Sequence, residues 1–204
     1  MKKYLIEFIG TFFLVTTIGL TGNPLAIGIM LTILVYMGGH ISGAHYNPAV
    51  TISIYFKRLI EKKDAVIYII TQLLASLFAA ILVHNLKTDL MHVMPNPSYS
   101  SLQIILCELI FTFLLVLVIL NVATNKKTEG NSYYGLAIGF TVMASAYCVG
   151  GISGGAFNPA VAFGPAILDT ILGDGGDILG FWIYLIGPIS GGYIAYLTDK
   201  YVNQ

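Results

Sequence analysis

The sequence predicts an all-α membrane protein in which six membrane-spanning helices and two re-entrant half-helices form an inverted repeat. Three observations predict it. Of 204 residues, 56% are hydrophobic and only 10% charged, with a mean hydropathy of +0.81; soluble domains carry roughly 25% charge, and a domain of this size could not cover its surface with so little. Six apolar segments reach the about 20 residues that a helix needs to cross an about 30 Å hydrocarbon core. Finally, a shift of 111 residues lays Leu25–Val50 over Leu136–Val161 with 13 identities in 26 positions.

The first span covers about 4–22 (boundaries here are read from pattern alone). Lys2 and Lys3 precede it as they would a signal peptide, but Glu7 lies inside it and no small-x-small cleavage site follows, so it is a retained span. The second span, about 24–42, runs into the glycine-containing loop Ser42-Gly43-Ala44 and then into Asn47-Pro48-Ala49. Asn is a favoured N-cap and Pro a favoured first helical residue, so this triplet starts a helix. The apolar run that follows, about 47–57, is too short to cross a membrane at about 1.5 Å per residue. The third span is about 64–86. A connection at about 87–100 holds Lys87, Pro95 and Pro97.

The fourth span, about 101–124, contains "CELIFTFLLV" at 107–116, which aligns weakly with "IEFIGTFFLV" at 6–15 and sets Glu108 against Glu7. The fifth span, about 132–151, leads through Ser153-Gly154-Gly155 to a second Asn158-Pro159-Ala160 and a second short run, about 158–170. A loop with Asp169, Asp174 and Asp177 precedes the sixth span, about 178–198. Tyr4, Tyr133, Trp182 and Tyr201 stand near span ends, as interfacial anchors do, and the small residues Gly10, Gly19, Gly28, Gly139, Gly187, Gly191 and Gly192 permit close helix crossing.

With the N-terminus inside, nine of the ten basic residues lie on the cytoplasmic side and only Lys87 lies outside, which places both termini in the cytoplasm. Three spans separate equivalent points of the repeat. Three is odd, so the halves, about 1–86 and 101–199 of a single transmembrane domain over 1–204, sit upside down relative to each other, as is common in channels and transporters. Two half-helices entering from opposite faces bring their positive N-terminal ends together near the midplane. Non-helical backbone is tolerated at that depth only when buried in protein or lining a watery cavity. A path past these ends repels cations, while the Asn amides donate to what passes.

Net charge is zero, which gives no electrostatic case for nucleic acid. No His, Cys or acidic cluster has metal-ligand spacing, no nucleophile has a base at a recognisable spacing, and nothing calls for a cofactor, so the chain reads as no enzyme. Cys107 and Cys148 fall inside apolar segments and read as buried small hydrophobes. Glu7 and Glu108 are costly inside a membrane; their symmetric placement suggests that each accepts hydrogen bonds from a re-entrant loop. His45 either faces the inner vestibule or packs between loop and helix. His40 reads as a loop-packing group, and His84 and His92 as outer-surface groups.

The pair "HISGAHYNPAVT" and "GGAFNPAVAFGP", with Glu7 and Glu108 at matching points, resembles the aquaporin (major intrinsic protein) family, and the resemblance covers essentially the whole chain. It implies an aquaporin-like right-handed bundle and a pore through each subunit of a homotetramer in the cell membrane, conducting water or small neutral solutes down their gradients. It makes Asn47 and Asn158 the pore asparagines and loop carbonyls around 42–46 and 153–157 a polar ladder. The family's narrowest point matches Ile27, Ala146, Gly155 and Val161. The last is normally arginine. This chain has a single arginine, Arg58, on the other side. An arginine would narrow the pore and add donors and a positive barrier. Ile, Ala, Gly and Val imply a wider, apolar constriction that admits glycerol, urea, ammonia or hydrogen peroxide, and that slows water if it dewets.

Markers of subfamily are mixed: Ala162, Ala166 and Tyr184 resemble the water-selective branch, whereas Leu185 replaces its usual Trp. Two other classes compete with the passive pore. One is a non-conducting or gated structural protein on the same fold; the other is a coupled secondary transporter, which needs intramembrane ionisable pairs beyond Glu7 and Glu108.

Overall fold

Local chemistry at the helix ends sets the element boundaries. The computed structural model describes residues 1–203. Its helices are α1 (Lys2–Thr21), α2 (Pro24–Ser42), α3 (Pro48–Phe56), α4 (Lys62–Lys87), α5 (Ser101–Val122), α6 (Tyr134–Ser153), α7 (Pro159–Leu172) and α8 (Gly176–Val202), with a 3₁₀ turn at Lys126–Thr128. Pro opens α2, α3 and α7, each behind an Asn whose side chain accepts from the first-turn N–H groups. Ser100 and Gln103 form a capping box on α5. Helices α2 and α6 both end on a left-handed glycine, Gly43 at φ 86° and Gly154 at φ 87°. Six helices are long and apolar enough to cross a membrane, as expected from the sequence. The last continues to Val202 rather than ending near 198.

Helix α1 packs on α4 and α5 on α8, while α2 crosses α6. The crossing needs glycine: a Cβ on Gly28 would lie 2.7 Å from the carbonyl of Gly139, its counterpart in the repeat. A Cβ on Gly187 would lie 2.7 Å from the Glu108 Cβ, so α5 and α8 approach at backbone distance. Each short helix braces against the last helix of the other half, α3 on α8 and α7 on α4.

Large apolar side chains such as Ile33, Ile70, Phe78, Ile110 and Phe140 face outward, which suits hydrocarbon. Cys148 belongs to this outer surface and Cys107 is half-buried. Both were expected to be buried; in a membrane helix the outward face is as apolar as the core, so composition cannot separate the two. Polar groups lie inside instead: Glu7, Gln72 and Glu108 have no exposed surface. Ion pairs mark the ends of the bundle. Lys3–Asp64 (2.6 Å) and Lys57–Asp199 (2.8 Å) stand at one end, where the basic residues gather, and His92–Asp177 (3.1 Å) at the other, acidic end. Tyr4, expected as an interfacial anchor, also donates to Asp64 at 2.6 Å.

Candidate functional site

The two re-entrant loops share one unusual backbone. Ala44 and Gly155 have φ of 51° and 64°, and Tyr46 and Phe157 both have φ of 49°. For a non-glycine residue this left-handed conformation costs about 1–2 kcal/mol, so something must hold it. Glu7 does so in the first loop: its carboxylate accepts from Ser42 Oγ (2.7 Å), the backbone N–H of His45 (3.0 Å) and of Tyr46 (2.8 Å), and Gln72 Nε2 (2.9 Å). Glu108 holds the second, accepting from Ser153 Oγ (2.7 Å) and the N–H groups of Ala156 (3.1 Å) and Phe157 (2.6 Å). Each carboxylate is thus surrounded by donors, which offsets its burial.

Two tyrosines complete the clamps. Tyr68 donates to the Ser42 carbonyl (2.8 Å) and Tyr184 to the Ser153 carbonyl (2.6 Å). In α4 the sequence Tyr68-x₃-Gln72-x₃-Ser76 runs along one face, and in α8 the corresponding positions are Tyr184, Pro188 and Gly192. Proline has no donor side chain, so Glu108 has one hydrogen bond fewer than Glu7.

The asparagines tie the halves together. Asn47 Oδ1 accepts from Ala49 N–H (2.8 Å), and its Nδ2 donates to the Phe157 carbonyl (2.8 Å). Asn158 does the converse: Oδ1 accepts from Ala160 N–H (2.9 Å) and Nδ2 donates to the Tyr46 carbonyl (2.9 Å). A carboxamide nitrogen carries two hydrogens, so one on each asparagine remains for the lumen. The backbone carbonyls divide similarly. Those of Ser42 and Ser153 are taken by tyrosines and those of Tyr46 and Phe157 by asparagines. Carbonyls 43–45 and 154–156 accept no hydrogen bond among the described residues. The expected ladder over 42–46 and 153–157 therefore contracts to three carbonyls on each side.

A cavity of about 590 Å³ runs past these groups and is bordered by both asparagines and by Ile27, Ala146, Gly155 and Val161. All four residues matched to a constriction from the sequence thus border one space, and none carries a polar side chain. A Cβ on Gly155 would come within 3.2 Å of Gly150 Cα and 3.6 Å of Ala146 Cα. Val161 is buried among Val15, Val83, Met91 and Tyr184. On the basic side a second cavity, of about 530 Å³, shares Ala44, Ile119 and Ile138 with the first. The two spaces thus lie on either side of the same wall residues, the first reaching the acidic end and the second the basic end.

His45 borders the first cavity but is mostly buried: Nδ1 lies 3.1 Å from Thr51 Oγ1 and the ring sits edge-on to Tyr68 at 5.1 Å. His40 is exposed at the second cavity rather than packed. His84 is half-buried, and His92 pairs with Asp177. Among the described residues no three His, Cys, Asp or Glu side chains gather as a metal site would require.

Sequence reasoning missed the connection before α5. Met91, His92, Val93 and Met94 border the cavity, and Asn96 fixes them by donating from its backbone to the Ile152 carbonyl (3.0 Å) and from Nδ2 to that of Gly151 (3.2 Å). The apolar stretch Met91–Met94 inside a polar connection was the available signal.

The sequence model of the family described as "Major intrinsic protein" matches residues 1–198. The chain is 36% identical over 212 residues to "Glycerol uptake facilitator protein-like 6" of Lactiplantibacillus plantarum, covering 96% of this chain and 95% of that protein. It is 32% identical over 241 residues to "Aquaporin AqpM" of Methanothermobacter thermautotrophicus, covering 100% and 98%. Its fold superposes on the X-ray structure of the aquaglyceroporin from Plasmodium falciparum with a TM-score of 0.85 and 25% identity, over 98% of this chain and 96% of that one.

Proposed function

Because the chain belongs to the major intrinsic protein family, and is a multi-pass membrane channel passing water and small neutral solutes rather than an enzyme, we propose that it is a solute-permissive member whose selectivity lies at Ile27, Ala146, Gly155 and Val161. The observation that carries this reading is the absence of any polar side chain among those four cavity residues. A solute there meets apolar side chains on one side and the carbonyls of 154–156 on the other. That surface accepts from the hydroxyls of glycerol and hydrogen peroxide and from the N–H groups of urea and ammonia, and no guanidinium narrows it. Two similar proteins, a glycerol uptake facilitator-like protein and an aquaglyceroporin, support the same reading.

Asn47-Pro48-Ala49 and Asn158-Pro159-Ala160 act at the midpoint. The first turns of α3 and α7 add partial positive charge there, which disfavours a passing cation. A water accepting the remaining N–H from each asparagine has both lone pairs used, so it cannot accept a proton from its neighbour. Glu7 and Glu108 are structural carboxylates, and His45 forms part of the vestibule wall while shaping the loop. We read the chain as one domain of two inverted halves, 1–86 and 101–199. It assembles as a homotetramer in the cell membrane with both termini and the basic end in the cytoplasm, as the charge distribution favours.

The test is light scattering from proteoliposomes under water, glycerol and urea gradients, comparing the natural chain with Val161→Arg. Glycerol and urea flux should fall at least tenfold in the variant while water flux changes less, since narrowing excludes the larger molecule first. Equal effects on all three would mean that Val161 does not define the constriction.

A further inference from the structure

A groove of about 600 Å³ opens on the surface at the basic end, away from the channel. Its walls are the last turn of α3, the turn at 57–61, the start of α4 and Tyr196 of α8. The floor is aromatic: Phe56 lies 5.1 Å from the Tyr193 ring and 5.7 Å from that of Tyr196. Arg58, the only arginine of the chain, lines it together with Lys62. Arg58 sits at φ 61°, with its N–H bonded to the Tyr55 carbonyl (2.9 Å) while Leu59 N–H bonds to that of Ile54 (3.1 Å). A non-glycine residue held this way marks a strained turn.

The charges of this groove are unspent. Lys3 and Lys57, at the same end, are paired with Asp64 and Asp199, but among the described residues neither Arg58 nor Lys62 forms an ion pair. Glu61 also lines the groove, so the three ionised groups leave one net positive charge. Leu59 beside them is 55% exposed. Cations, half-exposed aromatics and an exposed leucine together match the chemistry of a bilayer interface, where phosphate lies above the first methylenes.

We propose that this groove binds the phosphodiester headgroup of one anionic phospholipid. Arg58 engages two phosphate oxygens, for which a guanidinium fork is suited. Lys62 adds the second cation, and the glycerol backbone and upper acyl chain lie against Leu59 and the Phe56–Tyr196 floor. The single net charge selects a monoanionic phosphodiester over a polyphosphorylated headgroup. The groove adjoins Lys57, which caps α3 and donates to the Thr124 hydroxyl at 3.0 Å, so an occupying lipid steadies the base of that pore helix.

The test uses purified full-length protein in mild detergent, with lipid binding followed by native mass spectrometry and thermal unfolding. Phosphatidylglycerol should bind and raise the unfolding midpoint, whereas phosphatidylcholine and inorganic phosphate should not. Arg58→Gly suits the positive φ and keeps the turn; combined with Lys62→Gln it should weaken phosphatidylglycerol binding about tenfold. Lys126→Gln with Lys127→Gln, on the same end but outside the groove, should leave it unchanged. Equal weakening by both pairs would reduce the effect to diffuse charge. Equal binding of phosphatidylcholine, or an equal response to inorganic phosphate, would overturn the headgroup assignment. A change of oligomeric state in the groove variant with lipid affinity intact would identify the occupant as a second copy.

Discussion

Ser76 of α4 stands inside the hydrogen-bond ladder of α7, bonded to Gly164. Its hydroxyl accepts from the Gly164 N–H at 3.1 Å and donates to the Ala160 carbonyl, the two groups that a helix would join directly. The next residue is Pro165, so the insertion falls where the helix is already interrupted. In the other half the serine has changed sides. Ser53 on α3 donates to the Ala49 carbonyl (2.8 Å), and its hydroxyl faces Gly192 on α8, where a Cβ would be 2.6 Å away.

Gly164→Ala should therefore be severe, because its Cβ would overlap the Ser76 backbone. Overpacking of this kind costs about 1–3 kcal/mol and more where backbone must move. Ser76→Ala should cost less, about 1–2 kcal/mol for the lost insertion. Thermal unfolding in detergent should rank natural chain, Ser76→Ala, Gly164→Ala in falling order.

Gln72→Met should lower stability by about 1 kcal/mol, since it removes one donor from Glu7 and leaves three. Glu7→Gln should cost about 3 kcal/mol or more, because the new amide hydrogens face donors already buried. Unfolding midpoints of the two variants check the order.

Gly155→Ala tests the constriction without adding charge. Its counterpart Ala44 already tolerates φ of 51°, so the backbone penalty should be about 1 kcal/mol. The added methyl narrows the space, and glycerol flux should fall several-fold while folding survives. Stopped-flow light scattering on vesicles with matched protein content reads this directly.

Asn158→Asp replaces an N–H donor by an acceptor opposite the Tyr46 carbonyl, now bonded at 2.9 Å. The new charge also cancels the positive end of α7. A potassium leak should appear in vesicles loaded with a voltage-sensitive dye, where the natural chain gives none.

Much of this architecture was legible because two periodic signals coincide. Hydrophobic length found the six spans, the 111-residue shift found Asn47 with Asn158, and the weaker match of 107–116 with 6–15 found Glu7 with Glu108. The asparagine cross-bonds were not legible: a repeat equates Asn47 with Asn158 but does not say that each reaches the loop of the other. Gln72 and Ser76 were hidden for a different reason. They lie on a helix whose length alone identified it as a span, and only their spacing from Tyr68 marks a polar face. The outward Cys148 was misjudged because lipid makes exposure and burial look alike in composition.

The proline at 188, where α4 has Gln72, has a consequence in time rather than in geometry. The loop at 153–157 is held by fewer bonds than the one at 42–46, so it should open more often. Amide hydrogens of Ala156 and Phe157 should exchange with deuterium sooner than those of His45 and Tyr46. The softer of the two loops is also the one that contributes Gly155 to the wall of the cavity that Val161 borders. The width felt by a passing solute is then an average over a breathing aperture, and it should grow with temperature more steeply at that end than at the other.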